Sequence, residues 1–164
     1  MIADSSVLIP LARAGKLGLL RVRYRKVRVT PSIEKETVYE NKVGSSEIKK
    51  AIGQWIIVQK TGKGLERDAD ELAVAENISR ADAEIILLAQ KNREDILTND
   101  YRLAIVAKAN GIKAVWPTAF LLECMKRKII TRPKAKETLL ELVKNGLRLS
   151  PEVFAEALRL MDVV

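Results

Sequence analysis

Short apolar runs alternate with longer stretches in which apolar residues return every three or four positions, and the alternation continues as far as Met125. The runs at Met1–Ala3, Val27–Thr30, Gln54–Gln59, Asp95–Thr98 and Ile112–Trp116 read as strands, and Met1–Ala3 is short and apolar enough for the middle of a sheet. Strands alternating with helices predict a largely parallel sheet. Helical spacing fills the intervals. Val7, Leu8, Leu11 and Ala12 predict a helix with Ser5 or Ser6 as its N-cap, or with Asp4 as a cap and nothing more. Lys16–Val22 predicts a short second helix, and Pro31 fits the first helical position behind Thr30. Gly44-Ser45-Ser46 predicts a loop and cap for Glu47–Ile52, and Gly62–Gly64 a turn before a helix over Leu65–Glu76.

Ile78, Ala81, Ile85, Leu88 and Ala89 define one face of a further helix, with Ile86 and Leu87 widening it, so that helix should lie deep against the sheet. Ser79 and Asp82 stand at its start with the spacing of a capping box. Tyr101–Asn110 follows with Leu103, Ala104, Val106 and Ala107 inward and Gly111 as the stop. Pro117 opens a helix through Met125. Beyond Lys126 only helices are predicted, over Pro133–Asn145 (Ala135, Leu139, Leu142 and Val143 periodic) and over Val153–Met161 behind Ser150-Pro151-Glu152. The expected architecture is a three-layer α/β/α domain with a central, mostly parallel sheet over residues 1–125. A C-terminal helical hairpin, 126–164, packs on it.

A parallel sheet puts the carboxyl ends of its strands on one edge, and four acids fall there. Asp4 directly follows the first strand and Asp100 the fourth. Glu36 sits within two turns of the helix after Val27–Val29, and Asp82 lies in the first turn of a buried helix. Glu84 competes with Asp82, because positions two apart on a helix point in different directions. Glu40, one turn beyond Glu36, is a further contact or a solvated side chain. Ser6 and Asn99 could steady a carboxylate or simply shape their turns. Gathered carboxylates repel and would hold protons at neutral pH unless a cation sits among them. Oxygen-only donors point to Mg²⁺ or Mn²⁺. Such a site suits hydrolysis of a phosphodiester by activated water.

Composition narrows the chemistry. The chain of 164 residues has no histidine and a single cysteine, Cys124. Histidine-dependent triads, thiolate zinc sites and intrachain disulfides are thereby excluded. A net charge of +8 from 29 Lys+Arg against 21 Asp+Glu suggests an anionic partner, most simply nucleic acid. The basic run Arg21, Arg23, Arg25, Lys26 and Arg28 reads either as a solvated face or as a phosphate-tracking patch. Aromatics make up only 4% of the chain, so no stacking platform for bases stands out. No apolar run approaches a membrane span and the start lacks a signal peptide, so a cytoplasmic protein without membrane attachment is expected.

The segments Ile2-Ala-Asp4-Ser-Ser6, Pro31-Ser-Ile-Glu-Lys-Glu36, Ala81-Asp82-Ala-Glu84 and Leu97-Thr-Asn-Asp100 resemble, in order and spacing, the motifs of the PIN domain. The tail from Ile129 through Ser150-Pro151 and the last helix looks like that of a prokaryotic PIN-like subgroup. The resemblance implies a metal-dependent ribonuclease, often the toxin of a VapBC-type toxin–antitoxin pair. It would carry an acidic quartet at the sheet's carboxyl edge. Carried over by position, Asp4, Glu36, Asp82 and Asp100 are the catalytic, metal-binding acids, with Glu84 the alternative third acid. Ser6 matches the family's Ser/Thr beside the first acid. The family's third acid often stands in a Gly-Glu-Ala-Glu context, replaced here by Arg80-Ala-Asp-Ala-Glu84. The arginine usual after the last acid is shifted, with Arg102 the nearest. The implied partners are RNA, an antitoxin protein and a second copy in a homodimer. The other reading is a non-catalytic PIN-like module that binds RNA or protein.

Overall fold

The computed structural model describes residues 1–38, 43–60 and 62–163. Five strands form an all-parallel sheet in the order β3-β2-β1-β4-β5. These are β1 (Ile2–Ala3), β2 (Val27–Val29), β3 (Ile56–Val58), β4 (Ile96–Leu97) and β5 (Ala114–Val115). Ten helices among the described residues complete a three-layer α/β/α fold. They are α1 (Ser5–Arg13), α2 (Gly18–Tyr24), α3 (Pro31–Val38), α4 (Ser45–Ala51), α5 (Lys63–Glu76), α6 (Arg80–Asn92), α7 (Tyr101–Ala109), α8 (Pro117–Lys126), α9 (Arg132–Lys144) and α10 (Pro151–Val163). Among the described residues no helix is long and apolar enough to cross a membrane.

Strand β1 lies at the centre, with Ile2 opposite Arg28 on one side and Ile96 on the other. Ile2, Ala3, Ile96 and Leu97 are fully buried, as a strand sandwiched between helices must be. Strand order runs outward from β1 to β3 on one side and from β4 to β5 on the other. The direction of winding therefore reverses between β1 and β4. In open α/β sheets such a reversal leaves a crevice at the carboxyl ends of the two strands. Asp4 and the Thr98–Asp100 segment stand at that crevice.

Several local features differ from the expectation, each for an identifiable reason. Of the two capping readings the one with Asp4 holds, in place of a serine: its backbone is extended and its carboxylate accepts the Ser6 N–H at 3.3 Å. Both serines thereby fall inside the first turn. Helix α2 is shifted toward the chain's carboxyl end relative to Lys16–Val22. Helix α4 starts at Ser45 behind Gly44, whose φ is +93°. A Cβ there would meet the Arg13 nitrogen at 3.0 Å, so glycine is required twice over, by backbone and by the approach to α1. Helix α5 takes in Lys63 and Gly64, which were expected in a turn.

Helix α6 buries Ala83, Glu84, Ile85, Ile86, Leu88 and Ala89, while Ala81 is only half-buried. The inward arc is thus rotated from the expected one and carries an acid. On α9, Thr138 takes the inner place expected for Val143. The C-terminal helices share the main core: Ala135, Leu139, Leu142, Leu147, Ala157 and Met161 are buried in the same cluster as Ile2, Leu8 and Phe120.

Candidate metal centre at the carboxyl edge

Asp4 is held at the end of β1 by the sheet on one side and by the helix it caps on the other. Only 5% of it is exposed, yet hydroxyls, not cations, surround its carboxylate. One oxygen accepts the Ser6 hydroxyl and the Thr98 hydroxyl, the latter at 3.0 Å. The other lies 3.4 Å from the Ser5 hydroxyl, which also donates to Glu36 at 3.0 Å. Ser5 thereby bridges Asp4 to an acid 32 positions later. Thr98 bridges to the fourth strand, because its oxygen also accepts the Asp100 N–H at 2.9 Å. Asp100 then caps α7 by accepting the Leu103 N–H at 2.9 Å and keeps its outer side exposed.

The remaining positions are distributed less evenly. Asp82 completes the capping box with Ser79, accepting its hydroxyl at 2.7 Å. Burial raises the Asp82 carboxyl above its ordinary value. The Ser79 hydrogen bond opposes that shift, and the negative charges of Asp4 and Asp100 reinforce it. Asp82 therefore feels the charge of two acids from other elements. Glu84 is buried at 6% exposure; one oxygen faces Arg80 at 3.5 Å, and the other, Oε2, has no hydrogen-bond partner. Glu40 lies outside the described residues. The Asn99 side chain turns to the tail, donating to the Arg148 carbonyl at 2.8 Å, while its backbone N–H reaches the Ser6 hydroxyl at 2.9 Å. Arg102 donates to the Glu76 carbonyl.

A cavity of about 470 Å³ opens beside these groups, lined by Ser5, Ser6, Glu36, Asn99, Asp100 and Tyr101. Arg13, from the end of α1, and Arg148, from the loop before α10, line it too. Sequence reasoning had singled out neither arginine, nor Ser5 and Thr98 as carboxylate partners. The place of Thr98, at a strand end just ahead of Asn99-Asp100, was the available signal. The basic run beginning at Arg21 lies at the opposite, amino edge of the sheet. There Arg23 pairs with Glu123 and Arg28 with Glu94, so it does not flank this cavity.

A family model for the PIN domain matches residues 1–163, nearly the whole chain and including α9 and α10. The chain belongs to the PIN domain family. Searches of curated proteins and of solved structures return no significant match. PIN domains are generally nucleases that use divalent metals, and the fold here is of that nuclease type.

The residues of this PIN domain fit a hard cation in chemistry more than in ready-made geometry. Among the described residues no three acids stand close enough to form a metal cage. The donors are all carboxylate and hydroxyl oxygens, the set that suits hard divalent ions. In addition, Glu84 Oε2 is a buried carboxylate oxygen lacking any partner, a costly state that a proton or a cation relieves.

Proposed function

We propose that this PIN domain is a Mg²⁺- or Mn²⁺-dependent endoribonuclease. One observation carries the proposal: at the crevice between β1 and β4, no ion pair among the described residues engages Asp4, Glu36, Asp82 or Asp100. Acids gathered at one crevice without cations favour the binding of positive charge there. Asp4, Glu36, Asp82, Glu84 and Asp100 are the residues that would hold the ion. When bound, a divalent cation supplies Lewis acidity at a phosphate oxygen and lowers the pKa of a water.

The chain's own groups do the rest. Ser6 and Thr98 fix the rotamer of Asp4, and Ser5 keeps Glu36 turned toward it. Asp100 is anchored by its cap, so its free face points outward. Arg13 and Arg148 offer positive charge along the cavity for the phosphates flanking the cleaved bond. The finer reading makes the protein the toxin of a toxin–antitoxin pair acting as a homodimer, with an antitoxin segment covering the acidic crevice.

The test is cleavage of a single-stranded RNA by the purified protein with Mn²⁺, with Mg²⁺ and with chelator, beside Asp4→Asn. Metal-dependent cleavage by the parent that Asp4→Asn loses at least about a hundredfold is expected, since even residues that only support a metal site cost 10–100-fold. Equal cleavage by the two proteins would remove Asp4 from the mechanism. Salt-sensitive RNA binding with neither metal binding nor cleavage would favour a non-catalytic module. DNA of the same sequence, run in parallel, decides the substrate class.

A further inference from the structure

A second cavity, of about 580 Å³, adjoins the acidic one and shares Asn99, Tyr101 and Arg148 with it. Its far wall is made by Trp116, at the end of β5, and by Leu149 and Val153 from the C-terminal segment. The lining is mainly apolar. Its size falls in the range of small-ligand sites, roughly 300–1,000 Å³. Tyr101 is 72% exposed and Val153 47%, so large apolar surface stands open beside a crevice otherwise built of carboxylates and arginines. Two aromatic side chains at one spot matter in a chain with so few of them.

We propose that this cavity is the subsite for one unpaired nucleobase of the RNA, next to the phosphodiester bound at the acids. The proposal rests on the nuclease reading for its neighbour, and on the continuity of the two cavities for its occupant. A strand whose phosphate lies between Arg13 and Arg148 carries its adjoining base past Tyr101 into the apolar space. There the ring faces of Tyr101 and Trp116 offer stacking that is tolerant of base identity. A base inside a duplex is already stacked and cannot enter, so the subsite selects single-stranded RNA. It also gives the C-terminal segment a direct part in holding substrate, through Arg148, Leu149 and Val153.

The test reads binding without cleavage, in chelator. In a Trp55→Phe background Trp116 is the sole tryptophan, and its emission reports the cavity. Adenosine 5′-monophosphate should quench it and ribose 5-phosphate should not. A single-stranded RNA hexamer should bind about tenfold more weakly to Tyr101→Ala and to Trp116→Ala, with Trp116→Phe restoring most of the affinity. Tyr101 is too exposed for its truncation to threaten folding, so it serves as the control on Trp116. Equal quenching by the two phosphates, or unchanged hexamer affinity in both alanine variants, overturns the subsite. So does emission that changes with protein concentration and ignores nucleotide, which would assign the cavity to a second copy of the chain. Asp4-dependent cleavage with hexamer binding indifferent to both rings leaves the nuclease standing without this subsite. Ring-dependent hexamer binding without cleavage does the reverse.

Discussion

The two edges of the central sheet treat their carboxylates in opposite ways. At the amino edge Glu94, just ahead of β4, and Glu123, on α8, each meet a cation. Glu94 pairs with the Met1 ammonium at 2.9 Å and with Arg28, and Glu123 pairs with Arg23 and Arg127. Arg23 in turn holds the Glu123 carboxyl below its ordinary value. At the carboxyl edge Asp4, Glu36 and Asp100 meet hydroxyls and backbone N–H groups. Paired acids stitch the fold together, whereas these acids of the carboxyl edge are without a cation among the described residues and, on the proposed reading, serve to bind one. The same residue types thus carry structure on one edge and, on the proposed reading, chemistry on the other.

The largest effect should come from removing one charge at each edge. Asp100→Asn is expected to lower metal-dependent RNA cleavage by at least about a hundredfold with little change in denaturant stability. Glu94→Gln should do the opposite: cleavage stays at the parent level, while urea unfolding reports a loss of about 1–3 kcal/mol from two partly exposed charge-assisted contacts. Comparable activity losses in both variants would erase the distinction between the edges.

Ser5→Ala and Thr98→Val come next, each removing a hydroxyl that orients Asp4. About 10–100-fold in apparent Mn²⁺ affinity or cleavage is expected, with more Mn²⁺ recovering part of it. Smaller again is the thermal signature. Mn²⁺ at about 100 times its Kd should add about 2.7 kcal/mol, or roughly 5–10 °C in Tm for a chain of this size. Asp4→Asn should lose most of that rise and Glu94→Gln none.

The smallest effect lies at the amino edge and in alkali. Burial pushes the Cys124 thiol and the Tyr24 phenol each up to about 12, from ordinary values of 9.0 and 10.0. Both stay protonated in the fold after the unfolded chain has ionised. Their contribution is full below pH 9 and fades as pH rises toward 12. Tyr24→Phe should flatten that decline and leave neutral stability nearly unchanged, because the buried Tyr24 hydroxyl has no hydrogen-bond partner to lose. A slope of stability against pH that is the same in Tyr24→Phe would contradict this.

The layered fold was legible because its signals are local and repeated: unbroken apolar strands, helical spacing between them, and Pro or Gly at the boundaries. Element starts were less so. Asp4 and the two serines are rival caps for α1 in the sequence, and Asp4 takes the place because aspartate serves as well as serine there. Asp4 and Asp100 were findable from their places at strand ends. The Ser5 link to Glu36 and the Thr98 link to Asp4 were not, since contacts 31 and 94 positions apart leave no periodic pattern in the sequence. Glu84 is legible as a rival ligand, but its burial depends on a rotation of α6 that a face-averaged pattern does not resolve. Arg148 reaches the crevice only because the C-terminal helices fold back onto the core, which periodicity alone does not orient.

The central claim is that the uncompensated acids at the carboxyl edge hold a divalent ion. Its most direct test is a crystal of the protein soaked in Mn²⁺, with the metal located by anomalous scattering. The expected result is a peak whose ligand oxygens lie roughly 2.0–2.2 Å away and include Asp4 and at least one of Asp82, Glu84 and Asp100. A peak elsewhere on the surface with none at Asp4, at Mn²⁺ concentrations that support cleavage, would contradict it.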